Sequence, residues 1–398
     1  MSDSSLPEPE RLIDALGEAD VRLGLFATGG GSAAISHLAS TPGASRVLLE
    51  AAVPYARPAI DTLLGGTQES YCSSRAARRL AVVAWQRVCR LQEAAGEEPV
   101  KATGRGVGIA VTASLRTRQP KRGSHRVIVA VQRRVATRVT TLVLEKGVRS
   151  RSEEETLAAR LVLGETAAAC GVPEAAPEPP LRAGERIHRQ IAAPPESWRE
   201  LFAGERTVVA AGPAAEKQPA VQPTAGGLIF PGSFDPLHEG HLLMARIAEE
   251  IAERPLAYEI SVTNVDKPTL DYLEMEQRAG QFGDRPLWLT RAATFLEKLV
   301  VFPKSTFVMG ADTFARLPDP RYYGGSTAAA SRAVRAIATK ARGLIVFGRE
   351  QDGVFQDAAT LEVPKALRDV TYFVSQREFR LDISSTQLRR RALAGSEA

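Results

Sequence analysis

Over residues 21 to 171, short β-branched apolar runs alternate with stretches whose apolar positions recur every three to four residues. VRLGLFAT (21–28) predicts a buried strand that enters a glycine turn and then GSAAISHLAS. SYCSSRAARRLAVVAWQRVCRLQEA has helical spacing and a serine cap. VGIAVTASL, HRVIVAVQRR and TRVTTLVLEKG predict strands, and SEEETLAARLVLGETAAACG a closing helix with a glycine stop. Together they define an α/β domain. Residues 1–20 are acidic and amphipathic, with neither a basic start nor an apolar stretch, and predict a disordered lead into a short helix rather than an export signal.

Two proline- and alanine-rich stretches, 172–186 and 211–226, predict linkers around a small docking element, so 172–225 separates two domains with a boundary near 225. Alternation resumes over 226–398. GLIF predicts a strand, LLMARIAEEIAE a helix, YEISVT and STFVMG strands, TAAASRAVRAIATKAR a helix, GLIVFG and TYFVS strands, and SSTQLRRRALAG a final helix. Strands separated by helices predict a doubly wound parallel sheet, Rossmann-like, which binds ligands at the carboxyl ends of its strands.

At 398 residues the chain exceeds one ordinary core, in keeping with that division. With 44% hydrophobic and 24% charged residues and no apolar run near 18, it fits neither a membrane-spanning nor a wholly disordered class. The net charge is +5, but the 51 basic residues are dispersed among 46 acidic ones, so no nucleic-acid partner is expected. Cys72, Cys89 and Cys170 have no paired spacing, which argues against a disulfide framework or zinc knuckle and points to a reducing, cytoplasmic setting.

Chemistry concentrates in Gly232-Ser233-Phe234-Asp235-Pro236-Leu237-His238-Glu239-Gly240-His241, between a predicted strand and a predicted helix. Two of the chain's five histidines fall here, three residues apart. A helix beginning at this point would set His238 and His241 on one face of its first turn, where free amides and the macrodipole favour a phosphate. A zinc site would need more ligands than Asp235 and Glu239 offer, so no protein-held metal is expected.

This segment resembles the G-x-F-x-P-x-H-x-G-H signature of the nucleotidyltransferase superfamily, which includes the nicotinamide and nicotinate mononucleotide adenylyltransferases. All six specified positions are present. Ile383-Ser384-Ser385-Thr386-Gln387-Leu388-Arg389 resembles the superfamily's second signature, I-S-S-T-x-x-R. The resemblance implies that a phosphate oxygen of an acceptor attacks the α-phosphorus of ATP and expels pyrophosphate. His238 and His241 would then stabilise the reacting phosphates. Gly232, Ser233, Phe234, Ser384, Ser385, Thr386 and Arg389 would hold the nucleotide, with Mg2+ bridging its phosphates. Gly310-Ala311-Asp312 looks like the G-A-D segment of the mononucleotide enzymes, implying that Asp312 contacts the acceptor; helix capping is its competing role. Lys267 is a candidate for the acceptor phosphate or an ordinary loop lysine, and Arg349 a candidate for the nucleotide. Cytidylyl transfer to another phosphorylated small molecule, or a non-catalytic nucleotide sensor, are the alternatives.

Residues 21–171 resemble, more distantly, the nicotinamide mononucleotide deamidase domain of competence-damage-inducible A proteins, through Thr28-Gly29-Gly30, TPGASRVLLEAAVPYA, LLG and GVGIAVTASL. Phe26 stands where that family has its serine nucleophile, Ala27 replaces the cysteine beside it, Tyr55 is kept, and Ile60 stands where its lysine would be. The resemblance implies a domain without that covalent chemistry, serving in mononucleotide binding or in a homo-oligomer, with Ser32 and Ser36 as substitute hydroxyls or simple packing residues.

Overall fold

The computed structural model describes residues 6–212, 222–351, 354–356 and 360–376. The chain forms two compact units: Met1–Ala203 with Asp266–Glu274, and Gly204–Val265 with Met275–Ala398. Among the described residues no helix is long and apolar enough to cross a membrane.

The first unit is built on a six-stranded sheet of β1 (Arg22–Thr28), β2 (Leu48–Ala52), β3 (Gly106–Ser114), β4 (His125–Arg133), β5 (Thr137–Leu144) and β6 (Arg186–Ala192). Its order is β2-β1-β3-β4-β5-β6. The first three strands run parallel and the rest antiparallel. Helix Arg151–Cys170 and the leading helix Pro9–Glu18 pack into one apolar cluster through Leu12, Leu16, Leu157 and Leu161, with Leu25 and Val111 of the sheet. A second cluster forms where helix Ser74–Ala94 brings Ala77, Leu80 and Ala81 against Phe26, Ala110 and Ile128. Gly108 permits this close approach: a Cβ there would lie 2.0 Å from the Ala81 carbonyl oxygen. The Ser73 hydroxyl caps this helix by accepting from Ala76 N–H at 3.2 Å, which fixes where it starts.

The segment 172–225, expected to link two domains around a docking element, supplies secondary structure to both units. Arg186–Ala192 is the edge strand β6, and helix Glu196–Ala203 follows it within the first unit. β7 (Val208–Ala211) then pairs antiparallel with a strand of the second unit. Proline-rich flanks mask the short alternating run RIHRQIA, and pairing with β5 is what makes it a strand.

The second unit carries β7, β8 (Leu228–Pro231), β9 (Leu256–Ser261), β10 (Leu287–Thr290), β11 (Thr306–Gly310), β12 (Gly343–Phe347), the two-stranded ribbon β13 (Arg349–Gln351) and β14 (Val354–Gln356), and β15 (Thr371–Val374). The main sheet has the order β15-β12-β11-β8-β9-β10-β7 and is parallel apart from β7 at its edge. Successive strands run outward from β8 to β10, and β11 then returns to the other side of β8. This is the doubly wound sheet expected from the alternation, with its switch point between β8 and β11. Phe302, Phe307, Phe314, Ile337 and Leu344 form the core of one face.

Candidate functional site

Because the sheet is parallel, the loops that follow β8, β11 and β12 emerge at one edge, and β8 and β11 flank the point where strand order reverses. Ligands of doubly wound sheets bind there, where diverging loops leave a crevice. β8 leads into 232–238 and helix Glu239–Ala252; β11 leads into Gly310-Ala311-Asp312; β12 leads to Arg349. The turn after β8 is anchored at its start by Gly232 N–H donating to the Glu259 carbonyl at 2.9 Å.

Within that turn the two imidazoles stack, with ring centroids 3.7 Å apart and planes at 23°. His238 is the extended N-cap residue of helix Glu239–Ala252, and its backbone N–H donates to Nδ1 of His241 at 3.3 Å. An accepting Nδ1 assigns the proton of the neutral His241 ring to Nε2, which makes Nε2 a donor. Both rings are half-buried. The first-turn amides of this helix add partial positive charge to the same place.

A buried aromatic base fixes the His241 ring. Phe234 meets it edge-on at 5.0 Å and itself packs on Phe230 at 5.3 Å, Phe282 at 5.2 Å and Tyr258 at 5.5 Å. Phe234 has a left-handed backbone, φ 43°, a conformation costing on the order of 1–3 kcal/mol for a bulky residue, which the packing of its ring offsets. Gly232 must be bare, since a Cβ there would fall 2.5 Å from the Phe234 ring.

Two residues that sequence reasoning missed hold the loop from outside. Gln281 Oε1 accepts from Leu237 N–H at 2.8 Å, and its Nε2 donates to the Phe234 carbonyl at 3.1 Å. Arg278, buried at the end of helix Tyr272–Ala279, donates to the Ser233 carbonyl at 3.1 Å and pairs with Asp235 at 3.6 Å. Their signal in QRAGQF is faint: an arginine and a glutamine three apart, which share one side only if the helical turn continues. Below the loop, buried Lys298 donates to both carboxylate oxygens of buried Glu259, at 2.8 and 2.7 Å, and to the Ala292 carbonyl at 2.9 Å. This fully satisfied pair stiffens β9 beside the site.

The remaining candidates are placed less completely. Asp312 is half-buried in the first turn of helix Ala311–Phe314, with Oδ1 2.8 Å from the point a Gly310 Cβ would occupy. The carboxylate therefore folds back over the end of β11. Lys267 is exposed in the bend after β9, within Asp266–Glu274, which belongs to the first unit. Arg349 opens β13, opposite Gln356 in the ribbon. Ser384, Ser385, Thr386 and Arg389 lie outside the described residues. Among the described residues no group of three or more His, Cys, Asp or Glu is placed to hold a metal ion.

In the first unit, Phe26 and Ile60 are both buried in the apolar cluster under helix Ser74–Ala94, so these two positions are core rather than catalytic. Tyr55 is 70% exposed. The Ser32 hydroxyl donates to Glu155 at 3.2 Å, beside Ala33 N–H at 3.3 Å, so it serves the closure of the glycine turn. The Ser36 carbonyl accepts from the Ser40 hydroxyl at 2.8 Å within a short helix.

Residues 229–391 match the family Cytidylyltransferase-like. No curated protein matches the chain. Among solved structures, a competence-damaged protein (CinA) superfamily protein from Escherichia coli is 18% identical, covering 40% of this chain and 88% of its own, with a TM-score of 0.32. The competence/damage inducible protein CihA from Agrobacterium tumefaciens is 19% identical, covering 43% of this chain and 99% of its own, with a TM-score of 0.33.

Proposed function

We propose that this chain, whose residues 229–391 match the cytidylyltransferase-like family, transfers the adenylyl group of ATP to nicotinamide or nicotinate mononucleotide. The observation that carries the reading is the stacked His238–His241 pair at a helix start on the switch point of a doubly wound sheet. That arrangement presents hydrogen-bond donors and partial positive charge where phosphates of a nucleotide would converge.

In the proposed reaction an oxygen of the acceptor phosphate forms a bond to the α-phosphorus, the bond from that phosphorus to the bridging oxygen breaks, and pyrophosphate leaves. The nucleophile is already an anion, so no strong base is required, and positioning plus charge stabilisation supply the rate. The Nε2–H of His241 and the ring of His238 would donate to phosphate oxygens as charge moves to the leaving group. Ser384, Ser385, Thr386 and Arg389 are proposed to hold the triphosphate tail, Arg349 the nucleotide, and Asp312 the acceptor.

The donor set at the loop is rich in N–H groups and suits phosphate rather than a cation, and Asp235 is turned to Arg278. Magnesium would therefore be carried by the nucleotide's own phosphates, where it neutralises part of their charge. The family match also favours a second reading, cytidylyl transfer to a different phosphorylated small molecule.

The test is a matrix of ATP and CTP against nicotinamide mononucleotide, nicotinate mononucleotide, and polyol and choline phosphates, with pyrophosphate release followed and products identified by mass. Dinucleotide formed only with ATP and a pyridine mononucleotide supports the first reading. Turnover confined to CTP would replace it with the second.

A further inference from the structure

Outside the nucleotide site, the first unit brings one hydroxyl and one amine together where a loop returns past the end of a strand. Ser114 ends β3 and is half-buried. Lys121, half-buried in the loop that returns to β4, places Nζ 2.6 Å from the Ser114 Oγ. Among the described residues this is the only hydrogen bond of the amine, and no carboxylate lies within ion-pair distance of it. We infer that Ser114 and Lys121 form a nucleophile–base pair, an acyl-transfer site that takes the acyl group of a small carboxylic ester or amide.

Three features of the surroundings suit that role. Nearby carboxylates are engaged elsewhere: Glu154 accepts from Arg116 N–H and contacts His125 Nδ1 at 2.7 Å. Lys146 pins the loop by donating to the Lys121 carbonyl at 3.0 Å and the Arg122 carbonyl at 2.8 Å, which fixes the amine against the hydroxyl. Arg126 stands directly across the antiparallel ladder from Ser114, on the same face of the sheet. Its guanidinium donates to the Cys72 carbonyl at 2.8 Å, while its buried Nε has no hydrogen-bond partner. A cation so placed is suited to stabilise negative charge developing beside Ser114.

Burial holds the Lys121 amine below the usual lysine range, and the charges of Arg151 and Lys146 push the same way, against Cys72 and Glu154. That direction favours the neutral amine, the form in which a lysine can take a proton from a serine. The hydroxyl proton of Ser114 passes to Nζ while Oγ bonds the carbonyl carbon. The bond from that carbon to the leaving alcohol or amine then breaks, and the Lys121 ammonium protonates the departing group. Water repeats the sequence on the acyl-serine, its proton passing through Nζ to Oγ, and a carboxylic acid leaves.

The test is labelling of the full chain with a fluorophosphonate, located by peptide mass mapping, together with the pH profile of p-nitrophenyl acetate hydrolysis. Ser114 is expected to carry the adduct, at a rate that rises with pH below the ordinary lysine range. Lys121→Arg keeps the cation and a donor but not a removable proton, so it should lower labelling by about a hundredfold or more while circular dichroism stays native. Ser114→Ala should carry no adduct at that peptide. No adduct on Ser114 of the native protein, or equal labelling in Lys121→Arg, overturns the proposal.

Discussion

Replacing Gly232 by alanine tests how tightly the aromatic base controls the histidine pair. The new Cβ would sit 2.5, 2.8 and 2.9 Å from three atoms of the Phe234 ring. Ordinary carbon contacts lie at roughly 3.5–4.0 Å, so the ring must retreat by about 1 Å. It has little room to do so, being 1% exposed and ringed by Phe230, Tyr258, Phe282 and His241. Overpacking of this kind costs about 1–3 kcal/mol. In a domain of this size that lowers the melting temperature by roughly 2–12 °C. Passed on to His241, a displacement of about 1 Å reduces turnover on the order of a hundredfold. The assay is pyrophosphate release at saturating nucleotide and acceptor, beside a thermal melt. Adding Phe234→Leu removes the far edge of the ring, so the double variant should regain stability but not rate, because His241 then lacks its edge-on partner. A Gly232→Ala protein that melts lower yet keeps kcat within about twofold of native would refute this coupling.

Two further perturbations probe the scaffold. Lys298→Met leaves the buried Glu259 carboxylate without its cation and should cost about 3–5 kcal/mol in denaturant titration, whereas the Lys298→Met/Glu259→Leu double variant should recover much of it; equal loss in both would speak against the pairing. In the first unit, the backbone N–H of Ser150 first, then its hydroxyl and Arg182, hold the Glu153 carboxyl at about 2, below its ordinary 4.5. A folded value depressed in this way stabilises above pH 4.5, and the contribution fades as pH falls from 4.5 through about 2. The melting difference between native protein and Glu153→Gln should therefore shrink across that window; a constant difference would contradict the capping account.

Where local pattern and tertiary fate agree, the chain could be read directly. The capped helix Ser74–Ala94, the closing helix Arg151–Cys170 and strands β3, β4 and β5 follow from periodicity and end signals. The segment 268–304 was opaque by comparison. β10 is the four residues LWLT between charged and proline-rich flanks, and helix Tyr272–Ala279 is only eight residues long, with its apolar positions Tyr272, Met275 and Ala279 interrupted by charges, so both depend on what they pack against. In the site, the histidine pair was legible because its residue types and spacing are rare together. The clamp by Arg278 and Gln281 was not, since its meaning lies in backbone carbonyls some 45 residues away in the chain. The same holds for Ser114 and Lys121, whose partnership depends on how a loop folds back over the end of β3.

The central claim, that the imidazoles after β8 act on a nucleotide's phosphates, is tested most directly by the steady-state rate of pyrophosphate release in His241→Ala at saturating nucleotide and acceptor. The ring is half-buried and its Nδ1 accepts from the His238 backbone N–H at the helix start, outside the sheet's core, so the variant should keep a native circular dichroism spectrum. The account predicts a loss of kcat of at least about a hundredfold, the scale expected when a donor to developing charge is removed. Unchanged turnover in a folded His241→Ala protein would contradict it.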